Sequence, residues 1–375
     1  MYYLDYAATT PAPRAVAEVM TAVLTEDFGN PSSQYPLGLA AKKRTEADRA
    51  AIAAALGCKA EQLYFTSCGT EGDNWAIRAA LWQNRRVGKH IVTTAVEHSA
   101  VIETMKALKT EGYDVTFLKP DSEGRVTAAQ VAEALREDTA LVSVMLVNNE
   151  TGVRFPMEEI AALLKGRPAL LHTDAVQGFL KVPFTAASLC ADYITISGHK
   201  LGGPKGIGAL YVGGKAQKPH PLLYGGGQER GLRPGTEPTA QIAGFAAAVS
   251  LWTKDLEARR AHLEEIKTYA REQLGKIEGL VFIGGADAPH ILSLSLPGYP
   301  SQNIVNDLGA KGICVSAGSA CHQGRLSHVL TAMSLPKRTA AGVIRVSFGP
   351  DTTTEAIDAF AEALEEHRRT RFPML

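Results

Sequence analysis

Short β-branched runs alternate with helical patterns from about Ala60 to Val212, and no other feature narrows the possible folds as far. A strand, a helix and a second strand in that order make a crossover unit, and a series of such units builds a parallel sheet between helical layers. Strands are predicted at 62–66, 90–94, 115–118, 141–147, 169–173, 193–197 and 207–212, with helices in most of the gaps. The run Leu141-Val142-Ser143-Val144-Met145-Leu146-Val147 is nearly all apolar, as a central strand covered on both faces must be. The expected fold is α/β, with a mainly parallel seven-stranded sheet flanked by helices.

A glycine-rich stretch from Tyr224 to Thr236 interrupts the alternation and reads as a long functional loop. A helical region is predicted over 239–274. Beyond it, strand candidates 291–296, 313–316 and 343–347 are interleaved with helices, the last over 353–369, which describes a smaller α+β domain. The region 10–55 is mostly helical around a turn at Gly29-Asn30-Pro31-Ser32-Ser33. At roughly 150 residues per domain the chain suits two or three. The expected division is a large domain over 13–250 and a small one formed by 1–12 and 251–375.

Composition excludes several function classes. The chain is 45% apolar and 21% charged, which is ordinary for a folded soluble protein and not for a disordered one. Its 39 Lys and Arg cancel its 39 Asp and Glu, so no net field draws it to nucleic acid or an anionic membrane. Any anion must be held by a local site. No apolar run approaches the roughly 20 residues of a membrane span, and the start has no signal-peptide pattern, so a cytoplasmic location is expected. The five cysteines, Cys58, Cys68, Cys190, Cys314 and Cys321, are scattered without a C-x-x-C pair, which argues against a disulfide framework and a zinc site.

The most informative segment runs from Asp192 through Ser197-Gly198-His199-Lys200 into Leu201-Gly202-Gly203-Pro204. A buried strand here delivers a lysine into a turn of glycines, where backbone comes close to a ligand. Partly desolvated, such an amine gains the lowered pKa that a nucleophile needs; a solvated loop lysine is the alternative. At Leu170-Leu171-His172-Thr173-Asp174 an apolar strand ends in a carboxylate, with Gln177 three residues on. Ligands of parallel sheets sit beyond such strand ends, although an aspartate there also serves as a helix cap. Phe65-Thr66-Ser67-Cys68-Gly69-Thr70 runs from a strand into a helix start, either a phosphate cradle or a plain cap.

His98, after the second strand, is able to stack on a flat aromatic ligand or to cap a helix, and Asn148-Asn149 end the central strand with amides or a simple turn. A lysine, a carboxylate, a phosphate cradle, a stacking ring and amides at five strand ends together fit one ligand, pyridoxal phosphate, which needs a Schiff-base lysine and an acid at its pyridine nitrogen. In the smaller domain, Cys321 lies in a polar, glycine-containing segment that suits a reactive thiol, while Cys314 reads as a core thiol. Arg345 stands in an apolar strand and needs an anionic partner, either a substrate carboxylate or an internal salt bridge.

With these motifs in place, together with Leu4-Asp5-Tyr6-Ala7-Ala8-Thr9-Thr10 and Gly29-Asn30-Pro31-Ser32-Ser33, the sequence resembles the class V aminotransferase superfamily of pyridoxal-phosphate enzymes, and within it the cysteine desulfurases. The resemblance implies the aspartate-aminotransferase-like fold type I. It implies that Lys200 forms the Schiff base, that Asp174 meets the pyridine nitrogen, that Gln177 contacts the ring oxygen, and that His98 stacks on the ring and moves protons. Thr70, Ser197 and His199 would hold the phosphate with the Gly69 backbone, and Thr236 would reach the phosphate of a second subunit, which implies a homodimer with shared sites. Asn149 and Arg345 would bind the carboxylate of L-cysteine, and Asn149 would also lie against the cofactor. Cys321 would take the substrate sulfur as a persulfide, leaving alanine, and pass it to a sulfur-acceptor protein for iron-sulfur clusters or other sulfur-containing cofactors. The Ala320-Cys321-His322 triplet also resembles selenocysteine lyases, the alternative reading, with another class V transaminase or β-lyase behind it.

Overall fold

In the computed structural model, residues 1–285, 287–317 and 326–374 are described. A two-residue strand, β1 (Tyr2–Tyr3), is followed by β2 (Leu63–Thr66), β3 (His90–Thr94), β4 (Asp114–Leu118), β5 (Thr139–Ser143), β6 (Leu170–Asp174), β7 (Tyr193–Ser197) and β8 (Gly208–Val212). Then come β9 (Val281–Ile283), β10 (Ile291–Ser295), β11 (Ile313–Cys314), β12 (Ser316–Ala317) and β13 (Val343–Ser347). The large sheet has seven strands in the order β2-β8-β7-β6-β5-β3-β4, and only β8 runs against the others. β5, β6 and β7 are buried along their whole length, which explains their β-branched, apolar sequences.

A four-stranded antiparallel sheet, β12-β13-β10-β9, forms a second layer system, and β1 pairs in parallel with β11. The strand predicted over 141–147 ends earlier, at Ser143. Beyond it Val144 N–H donates to His172 O (3.1 Å) and Leu146 N–H to Asp174 O (2.8 Å), both acceptors lying in β6, so the apolar pattern outlasts the regular ladder. The helix predicted over 239–274 is two helices, Thr239–Lys254 and Leu256–Leu274, broken at Asp255, whose φ of −131° and ψ of 38° are not helical. Periodicity alone passes over such a break. The first of the pair packs against helices Arg14–Thr25 and Pro36–Leu56, and the second against the final helix, Thr354–Thr370. Among the described residues no helix is long and apolar enough to cross a membrane.

The glycine-rich loop is pinned by a buried ion pair. Glu229 and Arg230 both adopt left-handed backbone, at φ of 45° and 60°, which is costly for residues with a Cβ. Arg49 holds Glu229 through two bonds of 2.7 and 2.6 Å, the Phe65 N–H donates to the same carboxylate at 2.8 Å, and the guanidinium lies 4.5 Å from the Phe65 ring centroid. Arg230 in turn donates to Leu63 O at 2.8 Å. Arg49→Ala would leave the Glu229 charge buried without its cation, so unfolding by urea should show a loss of about 3–5 kcal/mol.

Candidate active site

β2, β3, β5, β6 and β7 point the same way, so the segments after them gather at one edge of the large sheet, where ligands of parallel sheets are bound. A cavity of about 280 Å³ opens at this edge. All the predicted site residues except Thr236 and Cys321 line it. Thr236 is exposed on the glycine-rich loop, away from the cavity of its own chain. Cys321 and its neighbours 318–325 lie outside the described residues.

Lys200 sits in a single 3₁₀ turn, Gly198–Leu201, that continues directly from β7. The turn is closed by Gly202 at φ 85°, where a Cβ would also approach Pro13 Cδ to 2.9 Å, so glycine is required there. The Lys200 amine donates to the carbonyls of Ala7 and Ala8, each at 2.8 Å. Burial, with the Arg345 charge adding to it and Asp174 and Asp5 opposing, pulls this amine down to about 8. The N-terminal segment that supplies the two carbonyls is stitched to β13 by Ser347 N–H to Leu4 O (2.8 Å) and Ala7 N–H to Ser347 Oγ (2.9 Å). Thr10 then bonds back to the lysine turn, its N–H to His199 O and its hydroxyl to Lys200 O, both at 3.0 Å.

Asp174 ends β6 and is buried; one carboxylate oxygen accepts from Val176 N–H at 2.9 Å within a turn, and since the next helix begins only at Ala186 the helix-cap alternative does not apply, while Asp174 lines the cavity. Burial pushes its carboxyl up to about 7, Asp73 adding to the rise and His98 opposing it. Ligand atoms of Asp73, His98 and Asp174 lie within 4.8 Å of one another. His98 caps helix Ser99–Thr110, its Nδ1 accepting from Ala100 N–H at 3.2 Å, and burial together with Lys200 and His328 lowers its pKa against the pull of Asp174.

The residues present fit pyridoxal phosphate on two observations. Ser197 Oγ is buried without a hydrogen-bond partner among the described residues, and beside it helix Gly69–Gln83 begins at Cys68 with no side-chain cap. A hydroxyl in want of a partner next to uncapped helix N–H groups is an anion cradle. His199, bonded to Thr9 Oγ1 at 3.3 Å, is lowered to about 4 by burial and the nearby lysines and stays neutral. The second observation is the pairing of a buried carboxyl with a buried amine in one cavity, which matches the acid and amine that the cofactor needs.

Arg345 in β13 has the internal partner that its sequence context demanded. It donates to Asp5 Oδ1 at 2.8 Å, to Ser316 Oγ at 3.0 Å and to Asn149 O at 2.8 Å, while its Nε is buried without a partner among the described residues. Cys314, expected in the core, is only partly buried because β11 is a two-residue pairing with β1 at the sheet margin. Several groups were missed from sequence: Ala7, Ala8 and Asp73 in the cavity lining, and outside it Asp5, bonded to Arg345, His290, bonded to Gln177, and the buried Lys181. A lysine between Leu180 and Val182 was a legible signal, since such an amine is costly to bury; main-chain carbonyls carry no sequence signal.

The class V aminotransferase profile matches residues 2–360. A cysteine desulfurase IscS of Methanosarcina thermophila is 40% identical over 97% of this chain and 91% of its own length. A cysteine desulfurase of Nostoc sp. (strain PCC 7120 / SAG 25.82 / UTEX 2576) is 42% identical over 97% of this chain and 92% of its own. A solved NifS-like protein superposes with a TM-score of 0.93 at 36% identity, covering 99% of this chain and all of the other. With a strand-end lysine, acid and phosphate cradle on a matching fold, the chain belongs to the class V aminotransferase family.

Proposed function

We propose that the protein is a pyridoxal-phosphate-dependent cysteine desulfurase that converts L-cysteine to L-alanine and loads the sulfur on Cys321. The observation that carries the reading is the Lys200 amine, buried on two carbonyls in one cavity with Asp174, His98 and Arg345. Asp174 would hold the pyridine nitrogen, Gln177 the ring oxygen, and Ser197, His199, Thr70 and the Gly69 backbone the phosphate. Bound there, the cofactor supplies a ring that accepts electrons from the substrate carbon. Arg345 and Asn149 orient the substrate carboxylate, and Lys200 and His98 take up and return its α-proton. The Cys321 thiolate attacks the substrate sulfur; the new sulfur–sulfur bond forms as the bond from sulfur to the β-carbon breaks, and that carbon takes up a proton to give alanine.

Three further proposals complete this reading. The chain divides into a large cofactor domain, 13–250, and a small domain of 1–12 and 251–375 that carries Cys321. The protein works in the cytoplasm, and as a homodimer, because an exposed Thr236 that does not line the cavity of its own chain suits contact with the phosphate of a second copy. A sulfur-acceptor protein receives the persulfide for iron-sulfur clusters or other sulfur-containing cofactors.

An amine lowered to about 8 becomes nucleophilic as pH rises through that value, against 10.5 for an ordinary lysine. Capture of added pyridoxal phosphate by the apoprotein, followed by stopped-flow absorbance, should therefore speed up with a midpoint near pH 8; a midpoint near 10 would count against a desolvated amine. Steady-state assays with L-cysteine and L-selenocysteine side by side test the function. Sulfide and alanine from L-cysteine are expected. Turnover of selenocysteine alone would make it a selenocysteine lyase, and release of alanine from neither substrate would remove both readings.

A further inference from the structure

His290 lies immediately before β10 and is completely buried, yet nothing in the reaction described above uses it. Its backbone carbonyl accepts from Phe348 N–H at 2.9 Å, which fixes the residue to the small sheet. Its Nε2 reaches Gln177 Oε1 at 3.3 Å, across to the segment after β6. The other end of that amide, Gln177 Nε2, donates to Ala7 O at 2.9 Å, the same oxygen that accepts from Lys200 Nζ.

We propose that His290 is a positioning residue, whose Nε2–H fixes the amide of Gln177 so that Gln177 turns only N–H donors toward Ala7 and the cavity. An amide oxygen accepts and never donates, so the nitrogen facing it must carry the hydrogen. If the amide turned over, its oxygen would face the Ala7 carbonyl, two acceptors would oppose each other, and the carbonyl pair holding Lys200 would lose its register. With Oε1 engaged by His290 and one N–H on Ala7, the second N–H of Gln177 remains for an acceptor in the cavity.

The surroundings hold the imidazole in the required form. Burial comes first, and the charged groups facing His290 are all cationic: Lys181, Lys267, Arg345 and Lys200, from four different segments. Burial and each of these groups oppose a second proton on the ring, and His290 stays neutral. Its Nδ1 has no partner among the described residues, as suits the unprotonated nitrogen of an Nε2–H tautomer, and Lys181 Nζ is likewise buried without one.

The inference rests on the reading of the cavity as a pyridoxal phosphate site, where the free N–H of Gln177 faces the ring oxygen. Donation to that oxygen would stabilise its negative charge, so the proton equilibrium read in the visible absorbance of the bound cofactor would lie at lower pH. The test is a pH titration of the visible absorbance of the holoenzyme, comparing the parent with His290→Phe, which keeps a ring without the donor, and His290→Gln, whose amide N–H comes at the distance of Nε2 from the backbone. His290→Phe should raise the midpoint by about one pH unit, a tenfold change in the proton equilibrium, and His290→Gln should bring it back toward the parent. No shift in His290→Phe, or equal shifts in both, overturns the proposal. If His290→Phe does not fold, ¹⁵N-histidine spectra of the parent and His290→Gln decide: the resonance lost in the variant must show an Nε2–H tautomer, and an Nδ1–H tautomer overturns the proposal. A parent that takes up no pyridoxal phosphate would instead sink the functional reading, with the tautomer still deciding the role of His290.

Discussion

Lys200→Ala should lower steady-state release of alanine from L-cysteine by about 10³-fold, the scale at which removal of a positioned proton-transfer group is felt. Two functions are lost in one change. The amine that captures the cofactor is gone, and so is the group on the carbonyls of Ala7 and Ala8 that is placed to move the substrate α-proton. The cavity around it remains, because Lys200 is held by main-chain acceptors and not by an ion pair whose loss would strand a charge. Bound pyridoxal phosphate should therefore survive at reduced affinity, measurable by fluorescence titration, while turnover does not. Normal turnover by this variant would remove Lys200 from the reaction.

Cys321→Ser should retain the yellow cofactor and stop sulfide release from L-cysteine in the presence of a reducing thiol. A serine hydroxyl is far too weak an acid to give an anion near neutrality, and an oxygen there cannot hold the transferred sulfur in an exchangeable bond, whereas a thiolate does both. Mass spectrometry of the peptide containing residue 321 should show one added sulfur in the parent after a single turnover and none in the variant. Undiminished sulfide release by Cys321→Ser would assign the nucleophile elsewhere, and the remaining cysteines, Cys58, Cys68, Cys190 and Cys314, would be tested next. Cys68 is the one of these that lines the cavity. The two variants separate the halves of the reaction, since the first removes chemistry at the cofactor and the second only the capture of sulfur.

Strands β3, β7 and β13 occupy the residues predicted for them, because a strand buried on both faces must be written in β-branched and apolar residues and turn formers must flank it. The strand-end groups were legible for a related reason: Asp174, Lys200 and Gly69 break apolar runs where a parallel sheet exposes its binding edge. The break at Asp255 and the early end of β5 at Ser143 were not, since both depend on how neighbouring layers meet and not on local periodicity.

Local pattern thus established an α/β chain with an amine, an acid and an anion cradle at one sheet edge. Packing chose the partners of those groups. Arg345 met Asp5 from 340 residues away in the chain, Gln177 met His290 from 113 away, and the amine of Lys200 was given to two carbonyls that no side-chain pattern marks. The physical reason is that periodicity records which face of a strand or helix is buried, whereas a hydrogen bond between distant segments exists only after the sheets have docked and set its distance to within a few tenths of an ångström.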